Sequence, residues 1–263
     1  MSDSFEKSNS NIPNLKIADP RYAFRGLTYG DWVAVWWNHF FSAQPDNYYD
    51  PGRGIVFLRG SVEYTYEDEP AKRVYTGQTK ELGLRISKGT ALFFPVITSL
   101  FVIDDKYQGV MMNNQLSIRS AARLDTLTGG TLWARIMSED GKIYPLVEKL
   151  DHFLVESPLF TLLVDESNPF KTKMDGPIEA GLHHGVSVGV YILISDLSEG
   201  KKYRLEFGGK GVGRYFTNSI YDIEVSREPE PLLDISSKAE SSRMAPIGSP
   251  LAAKPIHGLR EDS

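Results

Sequence analysis

The chain has 263 residues, of which 41% are hydrophobic and 24% are charged, and its net charge at pH 7 is -5. This length and apolar content are enough for one domain with a sizeable core. The slight negative charge and the lack of a Lys/Arg run argue against a nucleic-acid partner, and the absence of cysteine excludes disulfides, thiolate metal sites and cysteine nucleophiles.

The first twenty residues are rich in Ser and Asn, and we expect residues 1–20 to be a disordered N-terminal segment. The first thirty residues lack the apolar core of a signal peptide. The longest apolar run, residues 91–103, is too short to cross a bilayer and contains Pro95. We therefore predict a cytoplasmic protein without a membrane span.

The stretch YGDWVAVWWNHFFS, residues 29–42, predicts a helix with an aromatic face. Thr28 can cap it, and Asp31 three residues later completes a variant of the capping box. The apolar positions that share one half of this helix are Trp32, Val33, Trp36, Trp37, Phe40 and Phe41. Such a stripe covers the open face of a sheet, so core packing is the first interpretation. A ligand-lining role for one or two of the rings is the second. Membrane docking is a weaker third, because the other face lacks Lys and Arg.

Most of the later pattern has the period of two that is typical of β-strands. Runs of this kind, bounded by Gly, Pro and Asp turns, lie at residues 55–67, 82–86, 91–99, 131–146, 152–165, 186–195, 203–209 and 215–225. Asp140-Gly141 predicts a β-hairpin, and the turn LSEGK predicts a second one between the runs that flank it. An apolar stripe that ends at Gly129-Gly130 predicts a helix near residues 114–128.

These elements predict a mainly β fold, an antiparallel β-sandwich or a barrel, with an aromatic-rich helix near residues 29–42 and a second helix near residues 114–128. We expect a single folded domain over residues 21–226. Residues 227–263 are rich in Pro, Ser, Ala and charge. Such a segment cannot bury enough apolar surface to offset its ordering entropy, so we expect a disordered C-terminal tail.

Three histidines are candidate catalytic residues: His39, His183 and His184. His39 lies at the edge of the aromatic face, about 12 Å along the helix axis from Asp31, so these two side chains cannot pair. His183 and His184 are adjacent in an extended run, so their rings point to opposite faces and would not bind one metal together. We predict no metal and no cofactor. The candidate ligand-binding residues are Trp32, Trp36, Trp37 and His39.

A glycine-rich motif and a search for a serine hydrolase motif give no sign of catalysis. GGKGVGR, residues 208–214, matches neither a Walker phosphate loop nor a dinucleotide fingerprint, and its place between two strand-like runs predicts a hairpin loop. The chain has no G-x-S-x-G motif, the commonest signal of a serine hydrolase.

The stretch G-L-T-Y-G-D-W-x-x-x-W-W, residues 26–37, resembles the opening of a group of mostly uncharacterised bacterial proteins whose domain begins with Y-G-x-W-x-x-x-W-W. Similar blocks follow at residues 88–97, 157–168, 197–209 and 221–225, and together they cover most of residues 26–225. The resemblance implies an all-β domain with a helix packed on it, and it implies no reaction. Many of those proteins look secreted and contain cysteines, and this chain shows neither feature.

Three functions follow from these observations. The preferred one is a binding module for a small apolar, aromatic or sugar ligand or for a protein partner, because binding needs no catalytic constellation. The alternatives are a metal-free cyclase, isomerase or hydrolase that uses a histidine and a carboxylate in an aromatic pocket, and a structural or assembly protein. A deep pocket that holds Trp36 or Trp37 with His39 favours the enzyme, a shallow aromatic patch favours binding, and a wide apolar face favours assembly.

Overall fold

The computed structural model describes residues 15–43, 47–60, 76–103, 131–146, 150–168, 178–210 and 216–227. All of them belong to one compact unit, Met1–Glu230. The predicted helix near residues 114–128 and the predicted C-terminal tail beyond residue 227 lie outside the described residues.

The described residues contain one α-helix, α1 (Tyr29–Phe40), one 3-10 turn (Leu150–Phe153) and twelve strands. The strands are β1 (Lys16–Ile17), β2 (Tyr48–Asp50), β3 (Ile55–Phe57), β4 (Thr76–Ser87), β5 (Ala91–Ile103), β6 (Thr131–Ser138), β7 (Ile143–Pro145), β8 (Leu154–Glu156), β9 (Phe160–Val164), β10 (Gly181–Ser195), β11 (Lys202–Lys210) and β12 (Phe216–Ser226).

These strands form two sheets in a sandwich-like arrangement. The seven-stranded sheet has the order β1-β10-β5-β3-β2, with β8 and β9 also paired to β10, and the five-stranded sheet has the order β4-β12-β11-β6-β7. Most pairs are antiparallel, whereas β3–β5 and β4–β12 are parallel. The mainly β fold with an aromatic-rich helix is therefore confirmed, and both sheets are open and mixed rather than closed into a barrel or purely antiparallel.

The first core lies between the two sheets, and aromatic rings cross it. Phe94 of the seven-stranded sheet lies 4.5 Å from Phe207 of the five-stranded sheet between ring centroids. Phe207 in turn stacks on Tyr221 at 5.9 Å. Aliphatic side chains fill the space around these rings, among them Leu92, Ile136, Ile192, Ile194, Leu205, Ile223 and Val225, all nearly inaccessible to solvent.

The second core lies on the other face of the seven-stranded sheet, under α1. Successive side chains of a strand alternate between faces, so Leu92 and Phe94 face the first core whereas Ala91 and Phe93 face the helix. The run ALFFPV is apolar throughout because the strand is buried on both sides. The protein therefore has three layers: helix, seven-stranded sheet and five-stranded sheet.

A β-bulge in β5 changes which side chains face the helix. Ile97 pairs with Val190 and Pro95 pairs with Tyr191, so Val96 has no opposite residue. Proline is tolerated at a bulge because the ladder is already interrupted there. The inserted residue shifts the alternation by one, so Thr98 faces α1 beyond the bulge, as Phe93 does before it.

Two sequence expectations about local structure need correction, and one is confirmed. The hairpin at Asp140-Gly141 is present, with β6 antiparallel to β7. The second predicted hairpin is wrong, because β10 belongs to the seven-stranded sheet and β11 to the five-stranded sheet. The turn that contains Gly200 therefore joins the two layers. The folded part also begins before the predicted boundary at residue 21, since β1 pairs with the end of β10 and Leu15 is buried.

Candidate functional site

Helix α1 begins at a complete capping box. Thr28 Oγ1 accepts the backbone N–H of Asp31 at 3.2 Å, and Asp31 Oδ2 accepts the backbone N–H of Thr28 at 3.0 Å. At the other end, Asn168 Nδ2 donates to the carbonyls of Phe40 at 2.9 Å and Ser42 at 2.7 Å. Both helix ends are therefore held by side chains, which fixes the position of the aromatic face.

The aromatic face of α1 is buried against the seven-stranded sheet. Trp32 is 0% exposed, and Trp36 and Trp37 are each 3% exposed. Each indole N–H also has a protein acceptor: Trp32 Nε1 donates to Phe24 O at 3.2 Å, Trp36 Nε1 to Leu58 O at 2.9 Å, and Trp37 Nε1 to Ser187 Oγ at 2.8 Å. These three candidate ligand-binding residues are thus part of the core, and a ligand-lining role for them stays a prediction.

A closed group of hydroxyls lies beneath Trp37. Ser187 Oγ donates to Ser99 O at 2.8 Å, and it lies 3.1 Å from Thr98 Oγ1 and 3.0 Å from the hydroxyl of Tyr191. Thr98 Oγ1 and the Tyr191 hydroxyl are also hydrogen-bonded. One lone pair of Ser187 Oγ accepts from Trp37 and the other from Thr98 or Tyr191, so every hydroxyl proton has an acceptor. Burial raises the pKa of Tyr191 to about 12, so this phenol stays neutral.

The β-bulge and a glycine create room for this hydroxyl group. A Cβ at Gly189 would lie 2.6 Å from Ile97 O, 2.7 Å from the Tyr191 ring and 2.8 Å from Thr98 Oγ1. A side chain at this position would displace the hydroxyls that fix Trp37. A fully satisfied polar group in an apolar layer specifies one position for the helix over the sheet. The role of these hydroxyls is therefore structural.

His39 lies where this aromatic layer reaches the surface. Its ring stacks on Tyr48 of β2 with centroids 4.4 Å apart and planes 22° apart. Tyr48 stacks on Phe57 at 6.0 Å, and Phe57 contacts Trp32 at 5.9 Å, so a row of rings runs from the core to solvent. Tyr48 is 39% exposed, whereas Trp32 is fully buried. We call the half-exposed pair the Tyr48–His39 surface.

Charged groups lie beside this surface on the β2–β3 hairpin. Arg53 pairs with Asp50 at 3.0 Å, and its guanidinium carbon lies 5.6 Å from the centroid of the Trp32 ring. Burial, together with the Asp50 carboxylate, raises the pKa of Tyr48 above its usual value. The Tyr48 hydroxyl is therefore a neutral donor and acceptor at physiological pH.

Arg25 holds the turn of this hairpin through hydrogen bonds to its backbone carbonyls. Its guanidinium donates to the carbonyls of Arg53, Gly54 and Gly89. Arg25 and Gly26 both have positive φ, 48° and 84°, in the two-residue turn between Phe24 and Leu27. That turn places the Arg25 guanidinium within hydrogen-bonding distance of all three carbonyl groups.

The other two candidate histidines lie far along the sheet. His183 and His184 are consecutive in β10, where His183 pairs with Leu162 and His184 with Thr161 of β9, so they occupy opposite faces of the sheet. His183 Nε2 donates to Glu179 O at 2.7 Å. Within the described residues, no group of three or more His, Asp or Glu could hold a metal ion.

A fourth histidine, which the sequence pattern did not single out, contacts a buried carboxylate. His152 Nε2 lies 3.3 Å from Asp19 Oδ1, and the Asp19 side chain is only 4% exposed. Arg21 also holds Asp19, through its backbone N–H at 2.9 Å and its side-chain Nε at 3.0 Å. The bonds from Arg21 lower the pKa of Asp19 to about 2. No spacing rule could have paired Asp19 with His152, because only the fold brings them together.

A shallow groove of about 440 Å³ crosses the outer face of the five-stranded sheet. Its lining includes Met137, Arg204, Asp222 and Glu224. Arg204 and Asp222 lie 3.6 Å apart and are both partly exposed. Cations and anions alternate between neighbouring strands here, which is the pattern of a solvated sheet face.

Comparison with known protein families, with curated proteins and with solved structures finds no match to this chain. The resemblance carried by the Y-G-x-W-x-x-x-W-W motif stays a prediction. Within the part of the chain that the structure describes, no helix is long and apolar enough to cross a membrane.

Proposed function

We propose that the chain is a binding module that contacts a partner protein or a small aromatic ligand through the Tyr48–His39 surface. The observation that carries this proposal is the half-exposed stack of His39 on Tyr48, continuous with the buried aromatic layer. A planar or apolar group that stacks on such a pair gains about 0.5–1.5 kcal/mol per ring contact beyond the apolar area it buries.

Rigidity of the surface supports the same proposal. Helix α1, which carries His39, is capped at both ends, and its Trp36 and Trp37 indoles are hydrogen-bonded in the core. A ligand therefore meets rings that are already ordered, so little side-chain entropy is lost on binding. The burial of Trp36 and Trp37 also disfavours a deep catalytic pocket around them.

The test uses saturation-transfer NMR with a set of indoles, aromatic acids and monosaccharides. We expect some of these compounds to bind the wild type, and we expect Tyr48→Ala to weaken that binding about tenfold or more, the effect of about 1.4 kcal/mol. Ile143→Ala is the matched control, because Ile143 is 57% exposed on the other sheet. Equal binding by all three proteins would contradict the proposal.

A metal-free acid–base enzyme is the second candidate, because His152 and Asp19 supply the histidine–carboxylate pair that such chemistry needs. Asp19 can orient the ring, and the His152 side chain is 35% exposed. An esterase and isomerase activity screen of wild type and His152→Ala tests this candidate. Turnover that disappears in His152→Ala and persists in Tyr48→Ala would favour it over binding.

We also propose a cytoplasmic location, which rests on the cysteine-free composition. Cell fractionation with an antibody against the chain tests it. Recovery of the protein outside the cytoplasmic fraction would contradict it.

A further inference from the structure

Strand β2 (Tyr48–Asp50) is at one end of the seven-stranded sheet. It pairs with β3 on one side, and no other described strand pairs with it. Tyr48 and Tyr49 are 39% and 36% exposed, and because neighbouring side chains of a strand alternate, they flank this edge on opposite faces. The edge therefore presents a backbone between two half-exposed tyrosines.

The hydrogen bonds of β3 determine which backbone groups of β2 point outward. Gly54 O accepts from Ala91 N at 2.9 Å, and Leu58 N donates to Phe93 O at 2.9 Å, so the backbone N–H and C=O groups of Gly54 and Leu58 point toward β5. The N–H and C=O of one strand residue point to the same side, and alternate residues point to opposite sides. The backbone groups of Val56 therefore also point toward β5, and those of Ile55 and Phe57 point toward β2.

It follows that Asp50 and Tyr48 are the residues of β2 that hydrogen-bond to β3, since they pair with Ile55 and Phe57. Tyr49 lies between them, so its N–H and C=O point away from the sheet. No described residue accepts or donates a hydrogen bond at these two groups. Tyr49 thus offers one donor and one acceptor at an accessible edge.

Two other edges carry features that hinder an added strand. On β9, Leu163 N donates to Asn38 Oδ1 at 3.0 Å, and Asn38 Nδ2 donates to Thr161 O at 2.9 Å, so one amide side chain occupies two of the outward groups. On β7, Pro145 lacks an N–H. Among the described residues, Tyr49 has neither an amide side chain on its outward groups nor a proline in its place, the two devices that protect those edges.

We propose that the β2 edge binds an extended peptide segment of a partner protein as an added strand, a statement that rests on the proposed function and specifies its partner. Tyr49 N–H and C=O bond the backbone of the segment, as in β-strand addition. Alternate side chains of the segment then pack on the Tyr48–His39 surface and on the Tyr49 ring. Aromatic or β-branched residues suit both positions.

Charge adds little to the selectivity of this edge, and the short length of β2 limits the affinity of the complex. Asp50 and Arg53 beside it are paired with each other at 3.0 Å, so an uncharged apolar segment fits without leaving a charge unpaired. Within the three residues of β2, Tyr49 alone contributes outward backbone groups. The complex is therefore a weak and reversible one, held by two backbone hydrogen bonds and two ring contacts.

The test selects peptides from a displayed random dodecapeptide library on the full chain and measures the binding of the synthesised winners. Tyr49→Pro removes the outward N–H and leaves the bonds to β3 intact, since proline is tolerated where the N–H faces outward on an edge strand. Tyr49→Ala is the matched control, which removes the same ring and keeps the N–H. Circular dichroism verifies that both variants fold.

We expect selected peptides to bind Tyr49→Pro about tenfold more weakly than Tyr49→Ala, the effect of losing one hydrogen bond. Methylation of alternate peptide nitrogens should weaken binding to the wild type in the same way. Equal binding to Tyr49→Pro and Tyr49→Ala, or no selected peptide, would overturn the added strand. If peptides bind Tyr49→Pro and Tyr49→Ala equally but bind Tyr48→Ala more weakly, the proposed function stands and the added strand does not. Peptides that bind Tyr48→Ala, Tyr49→Pro and the wild type equally overturn the added strand, and the NMR comparison of Tyr48→Ala with the wild type then decides the proposed function.

Discussion

Asn38 and His39 are neighbours in helix α1, yet they contact strands at opposite ends of the seven-stranded sheet. The Asn38 side chain occupies two of the outward backbone groups of β9, Thr161 O and Leu163 N–H. The His39 ring stacks on half-exposed Tyr48 at the other end of the sheet. One step along a helix, about 100°, separates a closed edge from an open one.

The aromatic-rich helix is thus a structural element along most of its face, and the proposed binding surface lies at one border of it. The tryptophans and the Asn38 amide fix the helix to the sheet. The ring of His39 then lies at a defined place on the surface because its neighbours in the helix are buried or hydrogen-bonded to the sheet. Variants on the two sides should therefore separate loss of stability from loss of binding.

The largest effect is expected from the buried side. Trp36→Ala or Trp37→Ala should lower the free energy of unfolding by about 3–5 kcal/mol, the usual cost of deleting a buried large aromatic ring. Urea denaturation followed by circular dichroism measures it. Either variant being as stable as wild type would contradict the buried position of these rings.

The next largest loss of stability is expected at Asp19. Its neighbour Ala18 accepts a hydrogen bond from the Tyr29 hydroxyl of the helix. The pKa of Asp19 is lowered from 3.8 to about 2, chiefly by Arg21. A carboxyl whose folded pKa is depressed adds stability above its unfolded pKa and loses it as pH falls through the folded one. Asp19→Asn should therefore cost about 2 kcal/mol at pH 6, and the difference from wild type should shrink between pH 4 and pH 2. A difference that does not change with pH would refute this.

The closed edge gives a smaller loss of stability together with a change in assembly. Asn38→Ala removes two hydrogen bonds to β9 and should cost about 1–2 kcal/mol. The exposed groups of β9 should then promote self-association, which analytical ultracentrifugation detects. Asn38→Asp is the matched variant, because it keeps the acceptor for Leu163 N–H and loses the donor to Thr161 O. A monodisperse, fully stable Asn38→Ala would show that the amide does not protect this edge.

The smallest loss of stability is expected on the open side. His39→Ala should cost about 1 kcal/mol or less, as substitutions at partly exposed positions usually do, and it should weaken binding at the Tyr48–His39 surface. Chemical denaturation and NMR titration of the same sample separate the two quantities. A loss near that of Trp36→Ala, with binding unchanged, would assign His39 to the core instead.

Helix α1 could be predicted closely because its signals are local. The cap at Thr28, the capping box with Asp31 and the six-residue apolar stripe all lie within fourteen residues, and the helix spans Tyr29–Phe40. The β6–β7 hairpin was predictable for the same reason, since Asp140-Gly141 specifies a tight turn on its own.

Relations between distant parts of the chain could not be predicted in this way. The turn at Gly200 has the same composition whether its strands pair or separate into two layers, so the β10–β11 hairpin was wrongly predicted. The short strand β1 lies in a polar segment and exists because the end of β10 offers it hydrogen-bonding groups. Alternation also does not reveal the bulge at Val96, because Pro95 and its neighbours are apolar or buried on both faces.

The candidate site was predicted only in part. His39 followed from its place at the border of the aromatic stripe. Tyr48 was missed, because its importance comes from the end position of β2 in the sheet, and strand order is a property of the whole fold. The pairing of Asp19 with His152 was missed for the same reason, since the two residues lie on separate elements that contact each other only after folding.

The most direct measurement is amide hydrogen exchange of the free protein by NMR, comparing Leu163 with Tyr49. Leu163 N–H is bonded to Asn38, so it should exchange slowly, and Tyr49 N–H points outward from β2, so it should exchange close to the rate of an unprotected peptide. Slow exchange at Leu163 with fast exchange at Tyr49 is the result expected for one closed and one open edge. Protection of Tyr49 equal to that of Leu163 would contradict the open edge on which the binding surface depends.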